Sequence, residues 1–283
     1  LEQLGLDLNG GKALSYNNIL DVMGALKLSI DLPDDACAIL KHTNPCGVGR
    51  GASVTQSIEN ALKCDPVSAF GGIVALGRTV DDEAAELLSG RFLEVILAPD
   101  YTDGARAILG KKKNLRWLDV DRARFAEATR GNERRWGRLV LTQDEDEGFP
   151  ELEAWKLAAG PRPSDVQFAA GELAWRVAKH VKSNAIVLAD ADGTLGIGAG
   201  QMSRVDSSRI AIEKAGIAGL DLSGCAAASD GFFPFPDGVE TLAEAGVKCI
   251  LQPGGSIRDD EVAAAAERLG VSLVLTGTRH FRH

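Results

Sequence analysis

The sequence predicts an α/β fold made of two halves of similar design. Short aliphatic runs recur along its 283 residues, amphipathic helical stretches fall between them, and the alternation occupies both sides of roughly residue 150. A chain of this length can bury most of its apolar surface without disulfides or metals.

Taken in order, the predicted strands are Cys37–Lys41, Gly72–Leu76, Leu93–Ala98, Ala185–Ala189, Leu195–Ile197, Cys225–Ser229, Lys248–Gln252 and Ser272–Thr276. Several are apolar throughout, the pattern of strands covered on both faces. Four helices are predicted among them. Val54–Lys63 carries Val54, Ile58, Ala61 and Leu62 on one face, and Val166–Val181 repeats Phe168, Leu173, Trp175, Val177 and Val181. Asp206–Ala215 and Asp259–Leu269 begin with acidic residues, which suits the helix dipole. Gly216 and Gly270 follow where a left-handed residue would end each helix.

From Lys111 to Pro163 the chain is polar and charge-rich, with KKK, RGNERR, DEDEG and GPRP in succession. This reads as a partly structured connection with solvated charges, giving a first half over 1–115, a connecting region over 116–163 and a second half over 164–283.

Composition excludes several function classes. Apolar residues make up 45% and charged residues 25%, an ordinary globular balance. The formal net charge of −9 argues against nucleic-acid binding but leaves room for a local basic pocket. No apolar run is long enough to span a membrane. Five cysteines, odd in number and without a CxxC pair, read as reduced cytosolic thiols. Pro45-Cys46 looks like half of a zinc-deaminase PCxxC, but residue 49 is Gly and no HxE lies upstream, so a catalytic zinc is not expected. No GxSxG elbow supports a serine hydrolase.

Four blocks concentrate reactive or turn-forming residues. Lys41-His42-Thr43-Asn44-Pro45-Cys46-Gly47 follows a buried strand and is expected to form a turn at its C-terminal edge, where α/β sheets place their sites. Lys182-Ser183-Asn184 precedes the glycine-rich run 196–200, which either cradles an anion ahead of a helix or is a tight turn. In the segment 229–238, three Phe and two Pro flank Asp237; apolar walls around one carboxylate suit an aromatic heterocycle, and a packed corner with Asp237 capping a helix is the alternative. The segment 277–283 holds two Arg and two His, either as a frayed tail or anchored by the apolar run before it.

Together the blocks have a clear likeness. LSYNNILD (14–21), LKHTNPCGVG (40–49), CDPVSAFGGIVAL (64–76), KKKNLR (111–116) and VAKHVKSNAIVLA (177–189) resemble the AICAR transformylase family in order and spacing. So do GIGAGQMSRVDSSR (196–209), SDGFFPFPDGVE (229–240), QPGGSIRDDE (252–261) and TGTRHFRH (276–283). The resemblance implies two cytidine-deaminase-like subdomains with mixed sheets flanked by helices, in a cytoplasmic homodimer with active sites at the interface.

It also implies transfer of a formyl group from 10-formyltetrahydrofolate to the 5-amino group of AICAR, in purine biosynthesis. That amine is a poor nucleophile, because its lone pair is delocalised into the imidazole and carboxamide. By resemblance, His42 is the general base or proton shuttle, and Lys41 and Asn184 orient substrate and stabilise charge. Ser15, Asn18, Gly71, Glu94, Arg204 and Arg279 match nucleotide-contacting positions, Phe232 and Phe281 pack near the substrate, and His283 helps close the site. Val205, Pro234, Phe235 and Asp237 match the pterin site. No catalytic metal is implied, although a structural potassium ion is.

Two departures stand out. The cyclohydrolase domain that usually precedes this region is absent, and so is the RYGxNPHQ segment whose Arg and Tyr help hold the phosphate; the chain is expected to be a piece of a longer protein. Gly231 and Gly77 stand where Ala and Asn are usual. A related enzyme with another amine acceptor, and a silent homologue acting as a binding partner, are the competing readings. The complete Lys41–His42–Asn184 set speaks against the silent one.

Overall fold

The computed structural model describes residues 1–283, the side chains of Asn132 and Glu153 excepted. In the first half run β1 (Leu6–Gly10), α1 (Tyr16–Asp31), β2 (Ala36–Lys41), β3 (Asn44–Arg50), α2 (Val54–Cys64) and β4 (Ile73–Leu76). These continue into α3 (Asp82–Ser89), β5 (Val95–Ala98), α4 (Asp103–Leu109) and β6 (Arg116–Val120). Helix α5 (Arg122–Ala128) and a hairpin of β7 (Asn132–Trp136) and β8 (Leu139–Gln143) follow. The second half holds β9 (Lys156–Ala159), α6 (Asp165–Ala178), β10 (Ile186–Ala189), β11 (Thr194–Gly198), α7 (Arg204–Ile217) and β12 (Ala226–Ser229). It ends with α8 (Asp237–Glu244), β13 (Cys249–Gln252), α9 (Asp259–Leu269) and β14 (Ser272–Leu275).

The two halves repeat one topology. The first sheet has the order β1-β6-β5-β4-β2-β3 and the second β9-β14-β13-β12-β10-β11. In each, an antiparallel hairpin (β2/β3, β10/β11) sits beside a parallel trio, and the far edge strand is antiparallel. Even the first helices start alike: Ser15 with Asn18 and Ser164 with Gln167 form reciprocal capping boxes.

Side-chain alternation divides each sheet between two layers. Ala38, Leu40, Ala75 and Leu97 of the first sheet, and Val187, Ala228 and Leu251 of the second, join α1 and α6 in one shared core. The opposite faces carry Ile39, Val74 and Ile96 in the first sheet, packed on α2–α4, and Ile186, Leu188 and Ile250 in the second, packed on α7–α9. The halves also meet edge to edge. Thr194 Oγ accepts from the buried Val48 N–H at 2.9 Å, and the Arg50 N–H donates to Asp192 O at 2.7 Å.

The predicted strands and helices all form, within a few residues. Several expectations need correction. The turn expected across 41–47 is confined to His42 and Thr43, because residues from Asn44 onward pair with β2 as β3. Pro45 is tolerated there as an edge residue. Gly216 does not end α7; the helix runs to Ile217 and the left-handed glycine is Gly219, with φ 71. Gly270 does take the left-handed cap, with φ 64. Arg116–Val120 and Lys156–Ala159, expected in the connection, are strands of the first and second sheets.

Candidate functional site

The β2–β3 hairpin presents Lys41 and His42 at its tip. Lys41 Nζ donates to the Phe70 carbonyl at 2.8 Å, while His42 is exposed. His42 and Thr43 both have left-handed backbones, with φ 52 and 61. Each such non-glycine residue costs of order 1–3 kcal/mol and persists only where its surroundings enforce it. Here the Thr43 N–H donates to Asp21 Oδ1 of α1 at 2.6 Å.

Asn184 sits just beyond α6, in a loop that abuts this tip. The Lys182 N–H donates to Asn44 Oδ1 at 3.0 Å, joining the loop to the hairpin. Asn184 is itself held: its Nδ2 donates to the carbonyls of Gln201 at 3.0 Å and Met202 at 3.1 Å, and its own carbonyl accepts from Ser207 Oγ at 2.9 Å. With Nδ2 committed to two carbonyls, the carboxamide oxygen is the atom left for a ligand.

Most of the glycine-rich run lies in a strand rather than a turn. Thr194–Gly198 is strand β11, and its glycines allow α7 to lie against it: a Cβ at Gly196 would be 2.1 Å from Ala211 O, and one at Gly198 1.9 Å from Ser207 O. Gly196 and Gly198 are packing positions, while Gly200 follows in the loop ahead of α7 with φ 69.

Arg204, the first residue of α7, is committed to a buried network. Its Nε donates to Ser229 Oγ at 2.7 Å and its Nη2 to Asp230 Oδ1 at 2.6 Å, while Ser183 Oγ donates to the other Asp230 oxygen. Asp230 is only 1% exposed, so these partners supply the compensation a buried carboxylate needs. Gly231 lies where a Cβ would meet Arg204 Nη2 at 2.6 Å and the Phe281 ring at 2.7 Å. The Arg279 guanidinium lies 5.0 Å from the centre of the Phe281 ring. Arg204, Gly231, Phe281 and Arg279 thus converge, beside the Ser183–Asn184 loop.

The C-terminal segment is anchored. The His280 N–H donates to Asp230 O, the Ser183 N–H to Arg282 O, and Arg134 Nη2 to His283 O at 2.8 Å. The His280 ring is 1% exposed, packs tilted against Trp175 with ring centres 4.7 Å apart and hydrogen-bonds through Nδ1 to Asp146 at 2.8 Å. Arg282 donates to the carbonyls of Thr43, at 2.6 Å, and His180.

Beneath the loop, Asp31 accepts from Lys179 Nζ at 2.8 Å and meets His180 Nε2 at 2.7 Å. Burial alone would raise the Asp31 carboxyl, but the His180 and Lys179 contacts outweigh it and hold it below its usual value. Burial pushes the His180 imidazole down, so the ion pair is Asp31 with Lys179, and a neutral His180 donates to it.

The remaining expected site residues lie in three other places. Phe232 is half-buried, and Phe235 is exposed with the Arg258 guanidinium 4.8 Å from its ring centre. Asp237 is not the helix cap: Pro236 is, and Asp237 opens α8 with its Oδ1 accepting from Gly238 N at 2.8 Å. Pro234 is half-buried in the same segment, and Val205 is half-buried in the first turn of α7. Ser15 and Asn18 cap α1 through each other, so their side chains already have partners. Gly71, with φ 74, donates its N–H to Phe92 O at 2.9 Å. Glu94 pairs with Arg116 at 2.6 Å in the wall of a cavity of about 600 Å³ that is ringed by Lys12, Arg91, Lys111, Lys112 and Lys113. The structure therefore gathers Lys41 and His42 with the Asn184 loop, and Arg204 with Phe281 and Arg279.

Sequence reasoning missed Asp21, Asn44, Lys182, Asp230 and Arg282, which hold these groups. The blocks 41–47, 182–184, 229–238 and 277–283 contain all of them but Asp21, yet gave none of their roles, which depend on contacts between residues far apart in sequence. Among the described residues no group of three His, Cys, Asp or Glu side chains could hold a metal. All five cysteines are buried, and burial pushes the thiols of Cys46, Cys64, Cys225 and Cys249 up to about 12, which makes them inert. No helix among the described residues is long and apolar enough to cross a membrane.

Comparison with known proteins adds a family. Residues 2–214 match the AICARFT/IMPCHase bienzyme family. The chain is 50% identical over 273 residues to the bifunctional purine biosynthesis protein PurH of Desulfitobacterium hafniense, covering 96% of this chain and 52% of that protein. It is 49% identical over 283 residues to the PurH protein of Dinoroseobacter shibae, covering 96% and 54%, and 50% identical over 276 residues to that of Chloroflexus aurantiacus, with the same coverage. The chain spans about half the length of the curated relatives it matches.

Proposed function

The chain belongs to the AICARFT/IMPCHase bienzyme family, and we propose that it carries the formyl-transfer half of that pairing, moving a formyl group from 10-formyltetrahydrofolate to the 5-amino group of AICAR in purine biosynthesis. The observation that carries this reading is the hydrogen-bonded junction between the Lys41–His42 hairpin tip and the Lys182–Asn184 loop. It supplies a base, a cation and a carboxamide from two elements held against each other.

In this reading the amine nitrogen attacks the formyl carbon and the N10–carbon bond of the folate breaks. His42 takes the proton released by the amine and returns it to N10, so the exchange is balanced without another reactant. Lys41 Nζ spends one of its donors on Phe70 and keeps two for the oxygen that gains charge during attack. The Asn184 oxygen accepts from the amine and aligns its lone pair. Arg279, Phe281 and Arg204 form the nucleotide side, with His283 closing it, and Phe232 packs by the substrate. Ser15, Asn18, Gly71 and Glu94 contact the nucleotide from the first half. Val205, Pro234, Phe235 and Asp237 receive the pterin, whose paired N–H donors suit a carboxylate.

A homodimer with sites at its interface belongs to the same proposal. Support comes from apolar side chains left in water, such as Phe70, stacked on Phe92 at 4.8 Å, and from the β7–β8 hairpin with Trp136, Leu139 and Leu141 exposed. A two-stranded ribbon is at best marginally stable alone, so a covering surface is expected. For potassium the fit is poor where carbonyls of the two halves converge: the Thr43 and His180 oxygens already receive the Arg282 guanidinium. No step here uses a metal.

The experiment is a pair of assays on one preparation: release of tetrahydrofolate, followed by absorbance, from AICAR and 10-formyltetrahydrofolate, and ring closure of formyl-AICAR to IMP. Formyl transfer without ring closure is expected. Ring closure without formyl transfer would reverse the assignment, and donor binding without AICAR turnover would point to a different amine acceptor.

A further inference from the structure

We propose that Arg282 is a positioning residue for His42: its guanidinium clamps the left-handed turn that carries the imidazole and ties it to the end of α6. The inference rests on the formyl-transfer reading above, because it assigns His42 a chemical task that depends on its placement.

Arg282 makes no ion pair with a carboxylate among the described residues. Its Nη1 instead donates to two backbone carbonyls, Thr43 O at 2.6 Å and His180 O, which belong to different halves of the molecule. The Asp21 carboxylate lies near enough to favour this half-buried charge without pairing with it directly, so the backbone carbonyls are what orient the guanidinium. The guanidinium also packs against α1 at Gly24, where a Cβ would lie 3.4 Å from Arg282 Nη2 and 3.8 Å from Thr43 Cα, an ordinary contact distance.

His42 and Thr43 hold φ 52 and 61, conformations that relax to the right-handed or extended region unless restrained. The Thr43 residue is fixed at both ends: its N–H by Asp21 Oδ1 and its carbonyl by Arg282. Because the Arg282 carbonyl in turn accepts from the Ser183 N–H, one residue fixes the backbone beside His42 and the backbone beside Asn184. Removing the guanidinium releases one end of the turn while Asp21 still holds the other, so His42 stays attached but wanders.

The test compares Arg282→Ala and Arg282→Lys with wild type and His42→Ala in steady-state formyl transfer, with and without millimolar guanidinium ion, below its denaturing range. A misplacement near 1 Å costs roughly a hundredfold, so kcat of Arg282→Ala should fall about tenfold to a hundredfold with KM for AICAR changed far less. Guanidinium ion should restore much of that kcat and none of the activity of His42→Ala. Arg282→Lys keeps a cation without the planar fork, should fold even if the alanine variant does not, and should show an intermediate kcat. Wild-type kcat in Arg282→Lys and Arg282→Ala, or a loss in which KM alone changes, would overturn the proposal. Activity persisting in His42→Ala would overturn the task given to His42, whereas a wild-type protein without formyl transfer would overturn the formyl-transfer reading, so the failures are distinguishable.

Discussion

Asn44 and Lys182 are joined by one hydrogen bond of 3.0 Å, from the Lys182 backbone N–H to the Asn44 side-chain oxygen, and it links the first half of the molecule to the second at the candidate site. Residues 138 apart in sequence thereby fix where His42 lies relative to Asn184. Asn44→Ala should lower kcat about tenfold or more through misplacement while leaving the fold cooperative, as steady-state kinetics and a urea titration would show.

A second tie between the halves is purely structural. Thr194 Oγ both accepts from the Val48 N–H at 2.9 Å and faces the Val48 carbonyl at 3.3 Å. Thr194→Val keeps the shape and strands a buried N–H, which costs about 1–3 kcal/mol. Chemical denaturation should read this as a lower midpoint at unchanged slope.

Gly198 tests the packing account of the glycine-rich run. A Cβ there would stand 1.9 Å from Ser207 O, so Gly198→Ala must push α7 off β11. Destabilisation of about 3 kcal/mol or more is expected, since backbone cannot yield as a side-chain tip does. An alanine variant as stable as wild type would contradict the packing account.

The buried His180 gives a pH dependence. Its pKa lies below the unfolded value near 6.5, so below that pH the unfolded chain binds a proton the folded protein refuses. Stability should therefore decline as pH falls from about 7 and level off below the folded pKa. Asp31, with a depressed folded pKa, adds a further loss only as pH falls through the carboxylate range. His180→Gln should flatten the first decline and keep the second, as thermal unfolding across pH 8 to 4 would reveal.

Much of the architecture is legible in the residues, and the misses have physical causes. Ile186–Ala189 and Cys249–Gln252 read as strands because both their faces are buried. Strand β3 does not, because Asn-Pro-Cys-Gly has turn chemistry and becomes a strand only by pairing with β2 while its glycines admit α2. Lys41, His42 and Asn184 stand out by residue type and family likeness. Arg282 does not, since in a terminal run of Arg and His nothing local separates a solvent-facing arginine from one that reaches Thr43 across 239 positions.

The proposed dimer makes its own prediction. Trp136→Ser with Leu139→Ser, both on the exposed β7–β8 ribbon, should shift sedimentation from dimer to monomer at micromolar concentration without unfolding the sheets. An unchanged sedimentation coefficient would place the interface elsewhere.

The central claim, that the imidazole at the hairpin tip moves the proton in formyl transfer, is tested most directly by single-turnover kinetics of His42→Ala with AICAR and 10-formyltetrahydrofolate at saturation. A fall of roughly a hundredfold to ten-thousandfold in the chemical step, with both ligands still bound, is the predicted result. A chemical step at the wild-type rate in that variant would contradict it.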